Sequence, residues 1–188
     1  MVGPWRSSSA TELFDGGIFA WLGLFIASRY HLGDVGIGLV LIGYGIPDLL
    51  FGGIIGGWGD IYGRRYVVPF GFLLAGVCAV FLVLPVSPFL AAIIIMALSV
   101  GFEATHPLMS SIATSLDPMH RGQVTGLATF TKFLGMGAGA LIFQRLIGLS
   151  FSRALIVFGV SQFLVGLAAI YAFRNEHPAM PTRLTGTC

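Results

Sequence analysis

Charge is what this chain has least of: Asp, Glu, Lys and Arg together make up 10% of its 188 residues, while 56% are hydrophobic. A water-soluble domain carries roughly a quarter charged residues. There is too little charge here to cover a surface facing water, so lipid is the expected solvent for most of the chain. The net charge is +2, and the basic residues are scattered singly or in one pair, so no nucleic-acid partner is expected. Cysteine is scarce as well. Cys78 lies in an apolar span and Cys188 is the last residue, which does not suggest a disulfide framework. The motifs H-E-x-x-H and G-x-S-x-G are both missing. An intramembrane protease needs a metal site or a nucleophile and base on different helices, and His106 and Ser110 share one helix face. No enzyme, cofactor or metal is therefore expected. No cleavable signal peptide is evident either: Met1 to Glu12 is polar and Ser-rich, and the apolar run after it is too long for a signal sequence.

What is present is a series of long apolar stretches. A bilayer core about 30 Å thick needs about 20 helical residues to cross it. Stretches of that order recur near 12–30, 35–58, 66–85, 89–114, 122–145 and 152–173. In lipid every backbone polar group must be satisfied internally, which a helix does within one segment. A membrane β-barrel would need dyad alternation, and Ala91-Ala92-Ile93-Ile94-Ile95-Met96 has none. The expected fold class is an all-α membrane protein with six transmembrane helices. Its organisation is a polar N-terminal segment (1–11), a six-helix domain (12–173) and a C-terminal tail (174–188).

Lys and Arg gather on the cytoplasmic side of membrane proteins. With the N-terminus inside, Arg6, Arg64, Arg65, Arg121, Arg174 and Arg183 are cytoplasmic and Arg29, Arg145 and Arg153 are outside. That ratio favours cytoplasmic termini, in a cell or inner membrane. The 27 glycines include Gly52-Gly53-x-x-Gly56-Gly57 and Gly135-x-Gly137-x-Gly139, spacings that let helix backbones approach.

Ionisable groups inside a bilayer are costly unless paired or hydrated, and each is a candidate functional residue. Asp15 lies early in span one and Asp48 near the middle of span two, directly after Pro47. Glu103 and His106 lie three apart on one face of span four, and Lys132 lies near the middle of span five. Spans three and six have no ionisable residue between their ends. Asp48, Glu103 and Lys132 are expected at similar depth, where two acids and one base partly neutralise and the unmatched acid can take up a proton. His106 can accept or relay it. A buried acid–lysine pair that fixes helix register is the structural alternative. Pro47 and Pro107 adjoin these residues and interrupt backbone hydrogen bonding. Trp21, Tyr44 and Phe102 are candidates to line a substrate cavity, although aromatic side chains also collect at membrane interfaces.

The short charged gap between spans two and three reads Gly56-Gly57-Trp58-Gly59-Asp60-Ile61-Tyr62-Gly63-Arg64-Arg65. This G-x-x-x-D-x-x-G-R-R pattern resembles the loop signature of the major facilitator superfamily of secondary transporters. The resemblance implies a half-transporter of two inverted three-helix repeats. In each repeat the first helix lines the cavity, the second meets the other half and the third faces lipid, so spans three and six should be charge-free. It also implies that Gly56 packs against the neighbouring half and that Asp60 is a gating aspartate pairing across the interface. Gly63 would permit the turn, and Arg64 and Arg65 would hold the loop and helix ends.

Family members usually have twelve spans, so this chain corresponds to one half. An arginine in span four, common in N-terminal halves, and a Gly-Pro pair in span five, frequent in antiporters, are both missing. Asp15-Gly16-Gly17 and Asp117-Pro118-x-x-Arg121-Gly122 resemble C-terminal halves. The expectation is a C-terminal half, its first residues the remnant of a central loop, with truncation, assembly of two chains or a separately supplied second half as the routes to a complete molecule. The implied function is proton-coupled efflux of small molecules by alternating access. The expected partners are the lipid bilayer, a small-molecule substrate, protons or another coupling ion, and a second six-helix half. A non-transporting membrane scaffold is the alternative, but it has no need of charge at the midplane.

Overall fold

The computed structural model describes residues 3–62, 64–106 and 119–172, with side chains from 12 onward except at 48, 51–62, 64, 121 and 172. Among the described residues there are six helices and no strand: α1 (Gly3–Tyr30), α2 (Asp34–Tyr62), α3 (Arg64–Phe81), α4 (Pro88–Glu103), α5 (Arg121–Ile147) and α6 (Phe151–Ala172). α1 starts well before the expected limit at residue 12, so much of the 1–11 segment continues the first helix. Gly122–Ile147 and Phe151–Tyr171 are long and apolar enough to cross a membrane. Asp34–Pro47, Arg65–Phe81 and Pro88–Glu103 are apolar but shorter.

Local sequence sets the helix ends. Ser87 caps α4, its Oγ accepting from the Leu90 N–H at 3.3 Å, with Pro88 in the first turn where a missing N–H costs nothing. α4 closes at Glu103, and positions 107–114 of the expected span lie outside the described residues. Ala104 and Thr105 form a tighter turn, in which the Thr105 N–H and hydroxyl both bond the Phe102 carbonyl, at 2.9 and 2.8 Å. The sequence supplies the reason: the next residue but one is Pro107, which has no N–H for the Glu103 carbonyl. Pro107 itself lies outside the described residues. Within α2, Pro47 likewise cannot bond the Gly43 carbonyl. The neighbouring Tyr44 carbonyl accepts from Ser99 Oγ of α4 at 2.5 Å.

Helices pack in a regular pattern: α1 on α5, α2 on α4, α3 on both α4 and α6, and α1 on α6. Exchanging α1–α3 with α4–α6 maps these pairs onto one another. α1·α5 becomes α4·α2, α3·α4 becomes α6·α1, and α3·α6 maps onto itself. The core runs along one face of α1, where Phe14, Ile18, Leu22 and Ile26 recur at helical spacing and meet Ala75 and Ala79 of α3, Leu82 just after it, Ile95, Leu98 and Phe102 of α4, Phe143 of α5 and Leu155 and Phe158 of α6. Phe158 stacks against Phe14 at 5.9 Å and meets Phe143 edge-on at 5.0 Å. A second cluster joins Val67, Val68 and Phe72 of α3 to Ala104 and Ala169.

Several close helix approaches require glycine, two of them at central contacts. A Cβ on Gly139 of α5 would lie 1.8 Å from the Leu13 carbonyl oxygen of α1. Gly76 of α3 and Gly159 of α6 each bring the other's carbonyl oxygen to 2.8–2.9 Å of where a Cβ would stand. Outside the α3–α6 contact lies a shallow groove lined by Val77, Val80, Phe81, Val160 and Phe163, without polar surface. The outward faces are strongly apolar: Leu49 of α2 is 86% exposed and Phe133 of α5 is 66% exposed. Such patches are rare on proteins surrounded by water.

Candidate functional site

Four ionisable side chains, from two helices and the turn after α4, converge at one end of the core. Glu12 and Asp15 lie three apart on α1, hence on one face of it. His106 is delivered by the turn that ends α4, and Lys132 comes from α5. The imidazole is the hub. Its Nδ1 lies 3.1 Å from Lys132 Nζ and 3.4 Å from Glu12 Oε1, and its Nε2 lies 3.8 Å from Asp15 Oδ2. Tyr44 of α2 donates its hydroxyl to the Asp15 carboxylate. The group is set into apolar surroundings: Phe102 meets the imidazole edge-on at 6.4 Å and Phe14 lies 5.3 Å from Phe102. Glu12 is only 7% exposed, and its Oε2 is buried with no hydrogen-bond partner among the described residues.

Burying charge costs several kcal/mol per ion unless partners replace water. With both acids ionised, Lys132 charged and His106 neutral, this cluster carries a formal charge of −1. It can therefore bind one further cation, and a proton is the smallest. Donor atoms of Glu12, Asp15 and His106 fall within 4.8 Å of one another. As arranged, however, they do not suit a divalent metal ion, because the Lys132 ammonium already stands at hydrogen-bond distance from the imidazole and would repel it.

Three sequence candidates, Asp15, His106 and Lys132, are brought together here. Asp48 is not placed, because its side chain lies outside the described residues. Glu103 is the last residue of α4 and half-buried; the turn after it carries His106, rather than Glu103, to Lys132. Tyr44, taken as a cavity lining, is a hydrogen-bond partner of Asp15. Trp21 donates its Nε1–H to the Ala140 carbonyl at 3.1 Å and so ties α1 to α5. Phe102 is buried in the core. Sequence reasoning missed Glu12, which was grouped with the polar start. Its i, i+3 relation to Asp15 was the available signal.

In the loop motif, Gly56 and Asp60 lie in the last part of α2, with side chains outside the described residues, as is that of Arg64, while Gly63 lies outside altogether. α2 ends at Tyr62 and α3 begins at Arg64, so a single position joins them. Arg65 is exposed and lies over the Tyr66 ring, 4.4 Å from its centroid.

The helical fold, the apolar outer faces and the charged group among the helices define a membrane protein built around a polar site. The chain matches the Major Facilitator Superfamily over residues 7–186 and belongs to that family of membrane transporters for small molecules. No curated protein matches it.

Proposed function

We propose that this chain is one six-helix half, the C-terminal one, of a secondary transporter that exports small molecules in exchange for protons by alternating access, with all six helices spanning the bilayer and both ends cytoplasmic. The observation that carries the reading is the Glu12–Asp15–His106–Lys132 group. Four ionisable side chains, one buried and three partly buried among apolar helices, are costly to maintain and are what a coupling site requires. Residues 12–173 form the half-domain in this reading. The exchange relation between α1–α3 and α4–α6 supports two three-helix repeats. Three is an odd number, so helices that reverse at each connection make the repeats inverted, as in transporters that rock about a midplane site. The apolar outer faces of α2 and α5 suit contact with a second half. Asp48 and Glu103 complete the coupling group, and Gly56, Asp60, Gly63, Arg64 and Arg65 form the cytoplasmic gate.

Proteoliposomes holding the assembled transporter and subjected to a pH gradient test this reading. The gradient should drive uptake or release of a panel of amphipathic small molecules, and Asp15→Asn, Glu103→Gln or Lys132→Met should abolish the coupling while leaving helical content intact. Gradient-independent behaviour in the parent would reject proton coupling. Unchanged coupling in all three variants would remove these residues from the mechanism.

A further inference from the structure

We propose that Glu12 and His106 carry the coupled proton between them, and that Lys132 is the cation this proton displaces. The proposal rests on reading the chain as a proton-coupled transporter.

His106 Nδ1 lies 3.1 Å from Lys132 Nζ and 3.4 Å from Glu12 Oε1. A ring nitrogen presents either one lone pair or one N–H in the ring plane, never both. Without a proton, Nδ1 accepts from the Lys132 ammonium, and Glu12 Oε1 faces a lone pair with which it cannot bond. With a proton, Nδ1–H donates to Glu12, and the ammonium faces an N–H on a cationic ring and is repelled. The two contacts are therefore alternatives.

Independent observations give each alternative a role. Among the described residues, Lys132 forms no ion pair with a carboxylate, so the imidazole alone holds it by hydrogen bonding. Glu12 Oε2 is buried and has no partner among the described residues, so this acid is short of a donor while Lys132 holds the ring. Asp15, fixed by Tyr44, stands 3.8 Å from Nε2 and favours the single N–H of the neutral ring on that side, which leaves Nδ1 free to accept. Nearby polar groups are Glu103, three residues earlier at the end of α4, and Tyr44 of α2, which bonds Asp15. Among the described residues, α3 and α6 bring no ionisable side chain to the cluster.

The proton balance is simple. Water delivers one proton to Nδ1; the Nζ–H···Nδ1 bond breaks, an Nδ1–H···Oε1 bond forms, and the cluster goes from −1 to 0. Loss of the proton to water reverses each change. Proton uptake thus exchanges a link between the end of α4 and α5 for one between the end of α4 and α1. His106 and Glu12 are the proton carriers; Asp15 is a positioning residue that sets the ring tautomer.

Lys132 is the only lysine in the chain, so lysine labelled with ¹⁵N at Nζ reports this one group. The test is a pH titration of the labelled full chain in lipid nanodiscs, with the His106 ring nitrogens assigned by their loss in His106→Asn. The Lys132 signal should move in a one-proton transition at the same midpoint as the His106 ring. Glu12→Gln should weaken that proton uptake about tenfold, one pH unit of midpoint, and Glu12→Asp should retain it. A Lys132 signal indifferent to pH while His106 titrates would overturn the proposal, as would a parental midpoint in Glu12→Gln. Should Glu12→Gln lose its helical circular dichroism, the parent's lysine titration alone decides. Failure of proton-driven flux with this exchange intact would reject the transporter reading and leave the switch standing; the converse would reject the switch alone.

Discussion

Gly139→Ala and Gly137→Ala should change stability in opposite directions, although both residues belong to the same Gly135-x-Gly137-x-Gly139 run. A Cβ at Gly139 would lie 1.8 Å from the Leu13 carbonyl oxygen and 2.7 Å from its carbon. Non-bonded carbon contacts settle at about 3.5–4.0 Å, so α5 must retreat from α1 by about 1.5 Å. Overpacking of this kind costs about 1–3 kcal/mol. At Gly137 nothing lies within 4 Å of an added Cβ. There the substitution only restricts the unfolded chain and improves helix propensity, a gain of up to about 1 kcal/mol. For a chain of this size 1 kcal/mol moves the thermal midpoint by about 2–4 °C. Thermal unfolding followed by circular dichroism in one detergent should therefore separate the two variants, with Gly139→Ala below the parent and Gly137→Ala at or above it. Lys132 lies seven residues from Gly139, about 10 Å along α5, so the retreat should also weaken the Lys132–His106 contact and shift the lysine ¹⁵N signal. Equal and same-sign shifts in the two variants would refute the α1–α5 packing on which the charged cluster depends.

Other perturbations have equally defined outcomes. Trp21→Phe removes the hydrogen bond from Nε1–H to the Ala140 carbonyl and should lower stability by about 1 kcal/mol, measured by the same unfolding experiment. Tyr44→Phe leaves the Asp15 carboxylate without its donor; proton-driven flux should fall while thermal stability drops by no more than about 1–3 kcal/mol. Gln162 is almost fully buried on α6, and its Nε2 has no partner among the described residues, so Gln162→Met should be neutral or stabilising by up to about 1 kcal/mol without affecting flux.

The helices were legible because apolar length is written directly in the chain, and the ends of α2, α5 and α6 lie within a few residues of the expected limits except where α2 runs on into the loop motif. The end of α4 was not, although its cause was in view: Pro107 withdraws a donor from the Glu103 carbonyl, and the resulting turn decides that His106 reaches α5. Matching depths along straight helices pointed instead to a group of Asp48, Glu103 and Lys132. Charged residues in apolar stretches were easy to find, but which of them meet depends on how α1 lies on α5, and that is set by Gly139 and Leu13, residues without charge. Glu12 went unnoticed because it closes a polar segment in sequence. In space the same helix carries it under Asp15 and into the core.

The most direct test of the central claim is cysteine labelling in a chain whose own Cys78 and Cys188 are replaced by serine. Single cysteines at positions 15 and 132 of the membrane-embedded, assembled protein would be probed with a membrane-impermeant maleimide at each face, with Phe163→Cys on the apolar outer side of α6 as reference. Positions 15 and 132 are predicted to react from the aqueous phase, and position 163 is not. Positions 15 and 132 sealed from water at both faces and at every pH, in variants that keep the helical circular dichroism of the parent, would contradict the account.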